Sequence, residues 1–173
     1  MNGMGKTACA QANNRSTPFL RPESKRPTMK TLLFLCTGNF YRSRFAELYF
    51  RHLCAAHSLE WQVESRGLAL EPQNNGLSHY TQQECRRLGI SIEPLREPIP
   101  LSLDDLTKSD LTIAVKGTEH RPLMRRRFPD WEHKVVYWEV HDLDVEPASQ
   151  ALPQLRVHVE SLFQELQQRI VKE

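Results

Sequence analysis

At 173 residues the chain is long enough for one compact α/β domain with a full core and short for two. Apolar residues make up 39%, and 23 basic against 21 acidic residues leave a net charge of +2, too balanced for a chain that coats nucleic acid or anionic lipid. No apolar stretch approaches the ~20 residues that cross a bilayer, the amino terminus lacks the apolar centre of a secretory signal, and Cys9, Cys36, Cys54 and Cys85 form no CxxC pair. The expectation is a soluble cytoplasmic protein in a reducing compartment, with no disulfide framework, no cysteine-type zinc site, and neither nucleic acid nor membrane as partner.

Residues 1–29 hold Lys6, Arg15, Arg21, Lys25 and Arg26 against Glu23, with scattered Asn, Ser, Thr and Pro and no apolar period. They read as a disordered basic arm ahead of one domain at 30–173. A transit peptide shares that composition but would show an amphipathic stripe, and a start at Met29 is equally compatible.

From Thr31 to Leu35 a continuous apolar run predicts a buried parallel strand. Arg44 to His57 places Phe45, Leu48, Tyr49, Leu53 and Ala56 at helical steps, which predicts a helix with one buried stripe. Trp61 to Ser65 reads as a second strand ended by Gly67, and residues 68–75 as a loop. Leu77, Tyr80, Thr81, Cys85 and Leu88 form the stripe of a helix ending at Gly89. The segment with Pro94, Pro98 and Pro100 should run over the surface, and Ser102 should cap a short helix from Leu103 to Lys108. Leu111 to Val115 is a third strand, Thr118 to Phe128 a helix closed by Pro129, and Val135 to Val140 a fourth strand. Pro153 is expected in the first turn of a last helix, whose stripe runs through Leu155, Val159, Leu162, Leu166 and Ile170. This alternation predicts an α/β fold with an open, four-stranded parallel sheet covered by helices on both faces. Ligands of such folds bind beyond the carboxyl ends of the strands.

The chemistry-bearing stretch lies between the first strand and the first helix: Cys36-Thr37-Gly38-Asn39-Phe40-Tyr41-Arg42-Ser43. A loop of this length wraps one small anion, with backbone N–H groups and the orphan donors of the helix start pointing inward. Arg42 has a planar fork that holds two phosphate oxygens at once, which lysine lacks. A thiol at a helix start beside a cation ionises readily, so Cys36 is expected to act as a thiolate nucleophile, with the Ser43 hydroxyl donating to its sulfur. Gly38 is expected to permit a turn that a Cβ would obstruct, and Asn39 to brace the loop through its neighbours' backbone.

The run Leu33-Phe34-Leu35-Cys36-Thr37-Gly38-Asn39, then Arg42-Ser43 and Ala46-Glu47, closely resembles the low-molecular-weight protein tyrosine phosphatases and the arsenate reductases that share their fold. Ser65 and Gly67 match the family's Ser-x-Gly after the second strand, and Leu77-Ser78 is similar too. The resemblance implies a flavodoxin-like fold of strand order 2-1-3-4 and a metal-independent reaction without cofactor. In that reaction Cys36 attacks phosphorus to form a phosphocysteine, Arg42 and the loop amides stabilise the equatorial oxygens, and water hydrolyses the intermediate. It also implies an aspartate acid after the fourth strand. Asp142 is in phase with it, and Asp144 is the second choice. Leu143 stands where the family usually has proline, and Tyr41 where many relatives carry a second cysteine, so the family's protective disulfide is unavailable here.

Thr37, Gly38, Asn39, Phe40, Tyr41 and Ser43 are the candidate phosphate- and substrate-binding residues, with Phe40 and Tyr41 lining the mouth and loop 68–75 forming another wall. The implied substrate is a phosphotyrosine protein or a small aryl phosphate, with oligomeric state open. A thioredoxin-coupled arsenate reductase and a non-catalytic phosphopeptide reader are the alternatives. Cys54 and Cys85 fall on helical stripes and read as core, which weighs against arsenate reduction because that chemistry needs receiving thiols. Arg121, Arg125, Arg126 and Arg127 read as a solvated helix face. Gly5-Lys6-Thr7 lacks the strand and upstream glycine of a nucleotide-binding loop. The histidines His52, His57, His79, His120 and His133 show no metal spacing. His141 either perturbs the adjacent acid or is a simple loop histidine.

Overall fold

The computed structural model describes residues 29–172, so the reading of 1–28 as a basic arm lies outside the described residues. Four strands, β1 (Lys30–Cys36), β2 (Trp61–Gly67), β3 (Leu111–Ala114) and β4 (Val136–Tyr137), form one parallel sheet in the order β2-β1-β3-β4. Helices α1 (Arg42–His57), α2 (His79–Arg87), α3 (Leu103–Lys108), α4 (Gly117–Arg127) and α5 (Ala148–Lys172) complete it. The expected flavodoxin-like architecture is present.

The uninterrupted apolar run of β1 follows from its central place, because successive side chains of a strand enter opposite layers. Leu32, Phe34 and Cys36 pack toward α1 and α5 with Phe45, Phe50, Val159 and Phe163. Leu33 and Leu35 pack on the other face with Leu106, Ala114 and Met124. Helix α1 departs from a single buried stripe: every residue from Arg42 to Phe50 is buried, whereas Ala56 is exposed. Its first half runs under the site and is covered on all sides, and only its last turns reach solvent.

Three expectations about local structure are corrected. Strand β4 pairs over two residues, Ile113 with Val136 and Ala114 with Tyr137, instead of six. Beyond them, Trp138 N–H donates to Ala114 O at 2.9 Å and Val140 N–H to Val115 O at 2.9 Å, so the chain still follows β3 out to Val140 as an edge segment. Helix α5 starts at Ala148, which puts Pro153 inside it. Burial of Ala151 and Leu152 draws the helix start upstream, and Phe163 joins the stripe beside the partly buried Leu162. Tyr80 is 46% exposed, since α2 begins only at His79 and turns Thr81 and Cys85 inward.

The Pro-studded segment does more than cross the surface. Gly67 N–H donates to Ile99 O at 2.9 Å and Leu101 N–H to Gly67 O at 2.8 Å, which stitches residues 99–101 to the carboxyl end of β2. Ser102 caps α3 through a reciprocal box with Asp105, as expected. The arginine cluster of α4 is partly structural: Arg125 chelates Glu132 at 3.0 and 2.7 Å, and Arg121 lies over the Tyr137 ring at 4.2 Å.

Candidate active site

The carboxyl ends of β1 and β3 open on a cavity of about 430 Å³ lined by Cys36, Thr37, Gly38, Phe40, Tyr41 and Arg42 from the first turn. Glu71 and Asn74 form the wall expected from loop 68–75, Glu119 enters from α4, and Asp142, Leu143 and Asp144 come from the segment after β4.

The loop is turned with its carbonyls outward. Cys36 O accepts from Leu68 N–H at 2.9 Å, Thr37 O from Ala69 N–H at 2.9 Å, Phe40 O from Ser78 N–H at 3.0 Å, and Tyr41 O from Phe45 N–H and the Thr81 hydroxyl. Because the two ends of a peptide unit point in opposite directions, the amides of Thr37, Gly38, Tyr41 and Arg42 face the interior of the loop. The first amides of α1 add the positive end of the helix dipole there.

Asn39 and Ser43 lie behind the loop and do not line the cavity. A Cβ on Gly38 would stand 3.2 Å from Asn74 Nδ2, a tight contact, while the left-handed residue of the loop is Asn39, at φ 49°. Its side chain spends every hydrogen-bonding position: Oδ1 accepts from Ile99 N–H and Arg96 at 2.9 Å each, and Nδ2 donates to Ser43 Oγ at 3.1 Å and Ser65 Oγ at 2.9 Å. Since Ser43 Oγ already accepts from Asn39, its proton is free to go to Cys36 Sγ, 2.9 Å away. Ser65 donates onward to Glu47, which Arg96 also holds at 2.8 Å. Gly67 explains the Ser-x-Gly pattern, because a Cβ there would stand 2.9 Å from Thr37 O and 3.1 Å from Asn39 Cβ.

Arg42 is 1% exposed and lies across the cavity from three directions of support. Its NH1 donates to Val140 O at 3.1 Å, NH1 and NH2 meet the Glu119 carboxylate at 3.0–3.2 Å, and NH2 also donates to Asp142. Its Nε, buried, has no partner among the described residues. Burial alone would lower the guanidinium's pKa, but Cys36, Glu119 and Asp142 raise it, so the charge is secure. Of the two candidate aspartates, the carboxylate of Asp142 meets Arg42, while Asp144 is exposed at the rim. Glu119 and Arg96 escaped the sequence reading; the one available signal for Glu119 was its place in the first turn after β3, where ligands of such sheets bind.

Tyr41 is 5% exposed and its hydroxyl is buried without a partner among the described residues, with burial and then Asp142 pushing its pKa well above the usual range. Tyr41→Phe should therefore raise stability by about 1 kcal/mol, seen as a Tm increase of about 2–4 °C in thermal unfolding. A lower Tm would mean that the hydroxyl has a partner in solution.

These features define a doubly wound α/β protein whose first strand-to-helix turn presents inward amides, one thiol and one guanidinium to a small cavity. The chain belongs to the low molecular weight phosphotyrosine protein phosphatase family, whose model matches residues 31–173. It is 36% identical over 89 residues to the low molecular weight protein-tyrosine-phosphatase YfkJ of Bacillus subtilis, a match covering 50% of this chain and 56% of that protein. It is 25% identical over 104 residues to a protein-arginine-phosphatase of Bacillus subtilis, covering 60% and 67%. It is also 31% identical over 88 residues to an arsenate reductase of Shouchella clausii, covering 51% and 58%. The aligned stretches thus span little more than half to two thirds of these curated relatives. Crystal YfkJ superposes with a TM-score of 0.73 at 24% identity, covering 83% of this chain and 98% of that one, and the YwlE arginine phosphatase of Geobacillus stearothermophilus with 0.69 at 20% identity, covering 83% and 97%. These two likenesses speak for the fold. No helix among the described residues is long and apolar enough to cross a membrane.

Proposed function

We propose that this chain is a metal-independent cysteine phosphatase acting on phosphotyrosine or a similar aryl phosphate monoester. Cys36 Sγ attacks phosphorus in line, the S–P bond forming as the P–O bond to the aryl group breaks, and Asp142 passes its proton to the departing phenolate oxygen. Water then splits the phosphocysteine and releases phosphate, while Arg42 and the inward amides hold the three equatorial oxygens throughout. The observation that carries this reading is the meeting, in one cavity, of the Cys36 thiol with the buried Nε–H of Arg42, which has no partner among the described residues.

The aromatic Phe40 and Tyr41, both lining the cavity, suit a ring-bearing substrate. Arsenate reduction, the activity for which the Shouchella clausii relative is named, needs further thiols to carry electrons. Cys54 and Cys85 are buried away from the cavity, and burial pushes their thiols up to about 11 and about 12. Both therefore lack the thiolate character that exchange requires.

The test is turnover of p-nitrophenyl phosphate and a phosphotyrosyl peptide in EDTA, beside phosphoarginine and beside arsenate with thioredoxin. Hydrolysis of the first two, unchanged by the chelator, is expected. Turnover confined to phosphoarginine or arsenate would transfer the chain to the specificity of the corresponding relative. Vanadate binding without any turnover would make it a phosphate reader.

A further inference from the structure

We propose that Glu119, clamped by His120 and Thr37, is a positioning residue that holds the guanidinium of Arg42 by one edge so that its other edge faces the phosphoryl group. The proposal rests on the phosphatase reading above and names how its arginine is held.

A guanidinium offers two bidentate edges, the NH1/NH2 end and the Nε/NH2 side. Glu119 takes the end: NH1 donates to its Oε2 at 3.2 Å, and NH2 to its Oε1 at 3.0 Å and Oε2 at 3.2 Å. The side edge keeps the unpartnered Nε–H and the remaining NH2 proton, which goes to Asp142. An incoming phosphoryl group can therefore take Nε and NH2 by displacing Asp142 alone. Glu119 remains in place, and the released Asp142 is left beside the leaving group.

Glu119 is itself fixed. Its Oε1 accepts from the Thr37 hydroxyl and sits 3.2 Å from Nε2 of His120, which is wholly buried. Nδ1 of His120 accepts from Lys116 N–H at 3.1 Å, so the ring proton resides on Nε2 and donates to Glu119. Burial holds His120 neutral, with its pKa lowered, despite that carboxylate. Burial would raise the Glu119 acid, but the hydrogen bonds from His120, Arg42 and Thr37 hold it well below the usual carboxylate range. The loop, the guanidinium and the first turn of α4 thereby become one hydrogen-bonded unit. A long, rotamer-rich side chain is ordered before the ligand arrives, which is the physical content of preorganisation.

A carboxylate beside a dianion also repels it, and the experiment separates the two effects. Vanadate affinity is measured by calorimetry, which needs no turnover, for wild type, Glu119→Gln, Arg42→Lys and the double variant, alongside kcat and KM for p-nitrophenyl phosphate. Glu119→Gln should weaken vanadate and kcat/KM by about tenfold to a hundredfold, the range seen when the outer partner that orients a metal ligand is lost. The same change in the Arg42→Lys background should cost less than threefold, because the group it positions is gone. Tighter vanadate binding by Glu119→Gln, or an equal loss in both backgrounds, would overturn the proposal. Should Glu119→Gln fail to fold, Thr37→Val removes one clamp and should give a smaller loss of the same kind; no loss there would count against it. Absence of turnover in wild type with this vanadate pattern intact would sink the phosphatase reading and leave the positioning role standing.

Discussion

Cys36→Ser is expected to abolish p-nitrophenyl phosphate hydrolysis, with kcat falling on the order of 10⁴-fold or more. The replacement is nearly isosteric at a position only 3% exposed, so the fold should persist and circular dichroism should be unchanged. The serine oxygen keeps its neighbour, the Ser43 hydroxyl, but a hydroxyl is intrinsically a far weaker nucleophile than sulfur. The cradle of amides and Arg42 is untouched, so vanadate should still bind. Loss of turnover with binding retained isolates the sulfur as nucleophile, and substantial residual turnover would assign the attack to another group.

Asp142→Asn should lower kcat by about 10²- to 10⁴-fold on phenyl phosphate, with a smaller loss on p-nitrophenyl phosphate, whose leaving group needs little protonation. The contrast between the two substrates is the measurement. A uniform loss would point to a binding role, and no loss would move the acid to Asp144. The absent proline has a structural counterpart: Leu143 N–H donates to Asp142 Oδ1 at 2.7 Å, a bond that proline cannot make. Val145 and Glu146 N–H donate to Asp142 O at 3.0 and 2.9 Å, closing the chain into a turn at Asp142. Hydrogen bonds thus supply the stiffness that a ring would have imposed.

The sequence reading of α2 and α5 shows where periodicity misleads. Tyr80 fits the apolar step of α2 yet faces out, and Pro153 fits a first turn yet sits inside α5. In both cases the helix boundary is set by which residues the neighbouring layer covers, and that is a property of packing.

What the amino-acid order determined by itself is whatever is local. The apolar run of β1 and the spacing of Cys36, Arg42 and Ser43 within eight residues required only that a strand meet a helix. The alternation of elements limited the connections to right-handed crossovers in a parallel sheet. Tertiary structure alone decided what surrounds that turn. Glu119 reaches Arg42 across 77 residues of chain, and Arg96 reaches Asn39 across 57, and no short-range pattern ties either to its partner. The physical reason is that buried donors and acceptors must be satisfied by whatever group the packed layers bring near. That choice is made by the fold as a whole.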